Sequence, residues 1–157
     1  MLSQTAVAAH PLPQLLLGDL EELASWDNNA YLTWERNEAL EQFQGIPWFR
    51  VFFSGDGTQF GLRLEFAIPA WMNARGVSAI LPARVELTAC TPGELAVVDY
   101  GLQPAAAFLA ALPGLARTCA RLLNELWGPT DVTDIFLPTM EYQAGLNPTP
   151  FPALRPA

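Results

Sequence analysis

Between Ile46 and Ile68 the apolar positions recur at every second residue. Phe49, Val51 and Phe53, then Phe60, Leu62, Leu64, Phe66 and Ile68, fall on one side. Trp48, Arg50 and Phe52, then Gly61, Arg63, Glu65 and Ala67, fall on the other. A period of two places successive side chains on opposite faces of a strand. Between the runs lies Gly55-Asp56-Gly57-Thr58-Gln59, and Asp-Gly supplies the positive φ of a tight primed turn. The pattern predicts a β-hairpin turning at Asp56-Gly57. That turn sets Phe53 opposite Phe60, Val51 opposite Leu62 and Phe49 opposite Leu64. On the second face it sets Trp48 opposite Glu65, Arg50 opposite Arg63 and Phe52 opposite Gly61. The first face must be covered by other parts of the chain. The second is too aromatic for an ordinary solvated face, and two facing arginines call for acidic groups beside them.

The flanking sequence predicts the rest of one α+β domain. Residues 1–11 read as a lead-in ending at His10-Pro11. Residues 12–25 read as a helix with Leu12, Leu16, Leu20 and Leu23 on one stripe and Asp19, Glu21 and Glu22 opposite, ended by Trp26-Asp27-Asn28-Asn29. Residues 30–43 fit both periods; the expectation is a strand over 30–35 and a turn or short helix over 37–43. Pro69–Arg75 reads as a short helix with Pro69 at its first position and Gly76 past its end. A second hairpin is predicted over 83–90 and 94–101 across Thr91-Pro92-Gly93, with Val85, Leu87 and Ala89 facing the core beside Ala96, Val98 and Tyr100. Residues 104–127 read as a long helical region, broken or bent at Pro113-Gly114. Its second half puts Leu115, Cys119, Leu122 and Leu126 on one stripe and spaces Arg121 and Glu125 as an i,i+4 pair. Gly128-Pro129 stops it. The expected organisation is a single domain over 1–128 and a tail over 129–157, whose six prolines favour extended chain.

Composition narrows the function. The chain of 157 residues is long enough to bury a core without staples, but only 15% of it is charged, against about 25% in an average soluble chain. That deficit points to surface covered by a second subunit or a partner. The net charge of −8 repels a phosphate backbone and argues against a stand-alone duplex-DNA binder. All eight basic residues are arginine, which fits a high-GC coding bias as well as selection for bidentate contacts. Two cysteines without close spacing fit a reducing cytoplasm. The N-terminus lacks a basic region and a long apolar core, so no secretory signal is expected. No run approaches the ~20 apolar residues of a membrane span.

Catalytic chemistry finds little to build on. His10, the single histidine, precedes a proline outside any predicted element, and zinc ligation or acid–base catalysis leans on histidine. Cys90 and Cys119 have no second ligand at metal spacing; Cys119 reads as a small core residue, whereas Cys90 stands at a strand end. Gly55-Asp56-Gly57 precedes a strand rather than a helix and is a turn, not a phosphate loop. Glu86 falls opposite Asp99, and facing carboxylates can share a proton or hold a cation, but two ligands do not make a site. No catalytic residues, metal or cofactor are expected. A carboxylate or thiol enzyme invisible in sequence would have to use Glu86 or Cys90. The aromatic hairpin face is the better candidate. The first expectation for it is a second sheet face covered by the chain's own helices, with the arginine stems packed along it. The others are a partner or dimer surface and a base-stacking surface. Trp and Arg are favoured hot-spot residues of protein interfaces, and bases stack on aromatic side chains in single-strand binders.

The order helix, strand, hairpin, short helix, hairpin, long helix, carried by Leu15-Leu16-Leu17 to Ala24, Trp48 to Ala67, Ala83 to Leu102 and Pro104 to Trp127, resembles the type III secretion chaperone fold. Within it the chain is most similar to the YbjN-like family of bacterial sensory-transduction-regulator-like proteins. The resemblance is one of pattern, over most of residues 12–128, and transfers no catalytic motif. It implies an antiparallel sheet of two hairpins packed with an N-terminal and a long C-terminal helix, a homodimer, and no enzymatic activity. It also implies binding of a segment of another protein across an apolar surface. The expected partner-binding residues are Trp48, Arg50, Phe52, Arg63 and Trp71, and the expected dimer residues Leu115, Leu122, Leu126 and Phe136. The alternative is an accessory of DNA repair or nucleic-acid metabolism that touches single strands or a single-strand-binding protein.

Overall fold

The computed structural model describes residues 11–26, 29–43, 45–55, 58–83 and 85–144. The lead-in with His10, the Asp56-Gly57 turn, Asp27-Asn28 and the prolines at 148, 150 and 152 lie outside the described residues.

Among the described residues, four helices and one six-stranded antiparallel sheet make an α+β fold. In chain order these are α1 (Pro11–Ser25), β1 (Ala30–Glu35), β2 (Trp48–Gly55), β3 (Gln59–Ala67), α2 (Ala74–Ile80), β4 (Glu86–Thr91), β5 (Leu95–Pro104), α3 (Ala105–Ala110), α4 (Leu112–Trp127) and β6 (Thr139–Tyr142). The strands lie in the order β4-β5-β3-β2-β1-β6. No helix among the described residues is long and apolar enough to cross a membrane.

The alternating pattern sorts the sheet into two faces as expected. Phe49, Val51, Phe53, Phe60, Leu64 and Phe66 are fully buried beneath the helices, and Phe49 stacks on Phe66 with centroids 4.8 Å apart. The helices contribute matching stripes: Leu16, Leu20 and Leu23 from α1, and Leu115, Cys119, Leu122 and Leu126 from α4. α1 packs along α4. Each such side chain contributes about 1.5–3 kcal/mol by leaving water, so this layer holds the fold. The stripe on α4 was expected to serve a dimer. Instead Leu115, Leu122 and Leu126 are at most 4% exposed within the single chain, because α1 and the sheet already cover them. Of the expected dimer set only Phe136 is on the surface.

Several local expectations are corrected. Across β2 and β3 Gly55 pairs with Phe60, so Phe53 meets Leu62, Val51 meets Leu64 and Phe49 meets Phe66. The loop is longer than a two-residue turn, and the register moves by two, which keeps every face and changes every partner. The short helix starts at Ala74 rather than Pro69: Asn73 is its cap, accepting the Gly76 N–H at 2.9 Å, while Pro69 belongs to a turn whose carbonyl accepts from Met72. The second hairpin carries a bulge between Leu87 and Ala89. It turns Ala89 outward and gives Cys90 the half-buried inward position. The C-terminal helical region breaks at Ala111, which caps α3 and starts α4. Pro113 lies in the first turn of α4, where its missing N–H is harmless.

The expected boundary at 128 does not set the next segment apart from the domain. Asp131 caps a 3₁₀ turn over Val132–Asp134, and Ile135 bridges to Arg36 and is 8% exposed. Then β6 pairs with β1 in the register Tyr31 with Glu141.

Candidate functional site

The second face of the sheet has no covering layer among the described residues. It is organised in rows that cross the strands. One row runs Glu141, Tyr31, Phe52, Arg63, Asp99, Glu86, one residue from each strand from β6 to β4. The next runs Thr139, Thr33, Arg50, Glu65, Val97. Trp48 comes after it, opposite Glu35.

Corrected by two positions, the register separates the arginines that were expected to face each other. Arg50 pairs with Glu65 and Arg63 with Phe52, so neither guanidinium faces a like charge. Each lies on aromatic rings. The Arg63 guanidinium carbon is 4.4 Å from the Phe52 centroid. That of Arg50 is 5.1 Å from Trp48 and 5.3 Å from Tyr31. Tyr31 and Phe52 are themselves 5.2 Å apart. Hydrogen bonds fix the outer atoms. Arg50 Nε donates to Thr33 Oγ1 at 2.8 Å, Arg63 Nε lies 3.1 Å from Glu65 Oε2, and the Tyr31 hydroxyl donates to Glu141 Oε2 at 2.7 Å. That last bond to a carboxylate holds the Tyr31 proton, raising its pKa above the ordinary phenol value. The cluster is a pre-ordered surface of planar groups with carboxylates at its margins.

A bulge shapes one end of the face. β5 carries an extra residue near Gly101, whose φ is 74°, a left-handed conformation that glycine adopts without strain. Asp99 Oδ1 accepts the Gly101 N–H at 2.9 Å. Beyond the bulge the alternation inverts, and Leu102 emerges on the open face 64% exposed. It rests over Gly61, where a Cβ would stand 3.1 Å from Leu102 Cδ2. A cavity of about 230 Å³ forms there, lined by Phe52, Ser54, Arg63, Asp99 and Leu102.

Of the expected binding residues, Trp48, Arg50, Phe52 and Arg63 are brought together. Trp71 is not in the cluster; it stands 61% exposed on the turn after β3. Tyr31, Thr33, Asp99 and Glu141 complete the face and were not foreseen as parts of it. The alternation of Tyr31, Thr33 and Glu35 was the available signal for the first two. Glu86 and Asp99 are register partners, as expected, and Asp99 also pairs with Arg63.

The two thiols are free and poorly disposed to react. Burial pushes both Cys90 and Cys119 above the ordinary thiol range, which lowers the thiolate fraction a nucleophile needs.

No protein-family model, curated protein or solved structure matches this chain.

Proposed function

We propose that the chain is a non-enzymatic, chaperone-like adaptor that binds a segment of another protein on the open sheet face. The observation that carries this reading is the stacked cluster of Trp48, Arg50, Tyr31, Phe52 and Arg63 on a sheet whose helices all serve the opposite face. Ordered Arg and aromatic groups bind with little loss of side-chain entropy and are the residue types that dominate interface energetics. The order of elements along the chain supports kinship with the type III secretion chaperone fold and its YbjN-like branch. Two unpaired cysteines suit a cytoplasmic setting. A homodimer belongs to the same proposal. With the α4 stripe in the core, Phe136 is the member of the expected dimer set that is exposed, with exposed Leu137 beside it.

The single-strand reading draws on the same arginines and rings but is weaker. Arg63 is paired with Glu65, and among the described residues Glu141, Glu65, Asp99 and Glu86 share the face with Arg50 and Arg63.

The test is a tagged pull-down with and without nuclease, comparing wild type with a Trp48→Ala, Arg50→Glu double variant. The adaptor reading expects a stoichiometric protein that survives nuclease and is lost in the folded double variant. A partner retained by that variant would remove the face from consideration. Nucleic acid, or proteins that vanish with nuclease, would replace this reading by the single-strand one.

A further inference from the structure

On the helical side of the molecule a second feature stands apart from the sheet face. A cavity of about 490 Å³ opens between the end of α2, Tyr100 of β5 and the first half of α4, within the usual range of small-ligand sites. Its wall is apolar at Ile80, Leu81 and Leu115, and polar at Tyr100, Thr118, Arg117 and Arg121. In a chain of net charge −8, the two arginines make no ion pair among the described residues. Among the described residues neither has a carboxylate within 4.0 Å; the ion pairs formed are Arg36–Glu38 and Arg63–Glu65. The pair expected between Arg121 and Glu125 is not made. Arg117 folds back across the first turn of α4, its Nη2 3.6 Å from where a Gly114 Cβ would stand. The Tyr100 hydroxyl is buried beside Thr118 and makes no hydrogen bond of normal geometry. The Thr118 side chain still acts on the hydroxyl, opposing the rise in its pKa that burial causes. The hydroxyl is therefore poorly rather than wholly unsatisfied, and a better-aligned acceptor would stabilise it.

We propose that this cavity binds a small amphipathic carboxylate, a molecule with one carboxylate and a short apolar body. The carboxylate lies between the Arg117 and Arg121 guanidinium groups, whose planar donors match its two oxygens. The Tyr100 hydroxyl donates to it or to its near end. The apolar body covers Ile80, Leu81 and Leu115. This site shares no residue with the partner-binding face and does not rest on that reading.

The experiment is a titration of the isotopically labelled full chain, followed by backbone amide shifts, with octanoate, octanol and inorganic phosphate as probes. Octanoate is expected to shift Tyr100, Gly114 and Thr118 saturably, with octanol and phosphate each at least about tenfold weaker. Arg117→Gln with Arg121→Gln changes two exposed side chains and is expected to weaken octanoate by about tenfold or more. Tyr100→Phe should weaken it by a smaller factor. Absence of saturable shifts, shifts located elsewhere, octanol or phosphate equal to octanoate, or undiminished binding in the double variant would each overturn the assignment.

Discussion

Arg63 lies with its guanidinium carbon 4.4 Å from the centre of the Phe52 ring, its direct partner across the β2–β3 ladder. The pair sits in the middle of a row that spans all six strands and ends in a carboxylate on both sides. Such a contact at a half-exposed site contributes about 0.5–1 kcal/mol. Arg63→Gln should therefore lower unfolding free energy in urea by no more than about 1 kcal/mol. Phe49→Ala, on the buried face of the same sheet, should cost about 3–5 kcal/mol. Equal losses at the two sites would mean that the open face holds the fold rather than serving recognition.

Asp19 gives the fold a pH signature. Its carboxylate accepts the Trp34 indole N–H at 2.8 Å, yet burial outweighs that bond and raises its pKa, with Glu22 adding to the rise. A carboxyl raised in the folded state is favoured there when protonated. Its stabilising contribution is complete below the unfolded value, near 3.9, and is lost as pH rises through the folded value. Asp19→Asn keeps an oxygen for Trp34 and should leave neutral-pH stability equal or higher, while flattening this part of the stability–pH curve. Asp19→Leu strands the indole N–H and should destabilise by about 1–3 kcal/mol.

Two helical glycines should respond in opposite ways to alanine. At Gly18, exposed within α1, an added Cβ meets nothing within 4 Å, so Gly18→Ala should gain about 0.5–1 kcal/mol. At Gly76 the same atom would stand 2.8 Å from Met72 Sδ, and Met72 is only 5% exposed. Gly76→Ala should yield no gain, and a melting temperature that rises as much as for Gly18→Ala would contradict the packing around Met72.

Arg36 is 8% exposed, and its Nε and Nη1 have no hydrogen-bond partner among the described residues. Its one carboxylate neighbour among them, Glu38, is 3.7 Å away from Nη2. An apolar side chain of similar length removes the desolvation penalty without opening a cavity. Arg36→Met should hold or raise the denaturation midpoint. A marked fall would show that the guanidinium has a partner in the working protein.

The strand faces were readable because their period is two and the correction to the register was also two. A shift of one would have inverted every assignment. Partners were not readable, because loop length decides them and Asp-Gly favours a shorter loop than the one that pairs Gly55 with Phe60. In the same way the proline-start rule drew the short helix back to Pro69, whereas the helix is capped by Asn73, a residue type that favours that position. The cation–π cluster was visible as Arg and aromatic residues sharing a face with Glu65; that Asp99 and Glu141 join it was not. Glu141 belongs to a four-residue strand set among prolines, and pairing with β1, rather than local propensity, is what makes that segment a strand.

The pairing of β6 with β1 also has a consequence in time. Glu141 and Tyr31 are 110 positions apart, so contacts of this kind form late. As the chain leaves the ribosome, β1 emerges with one edge waiting for a strand whose Glu141 is made 110 positions after Tyr31. Until then an unpaired edge stands beside Tyr31 and Phe52, and such edges invite pairing with other chains. A message truncated at codon 128 would make that vulnerable interval permanent.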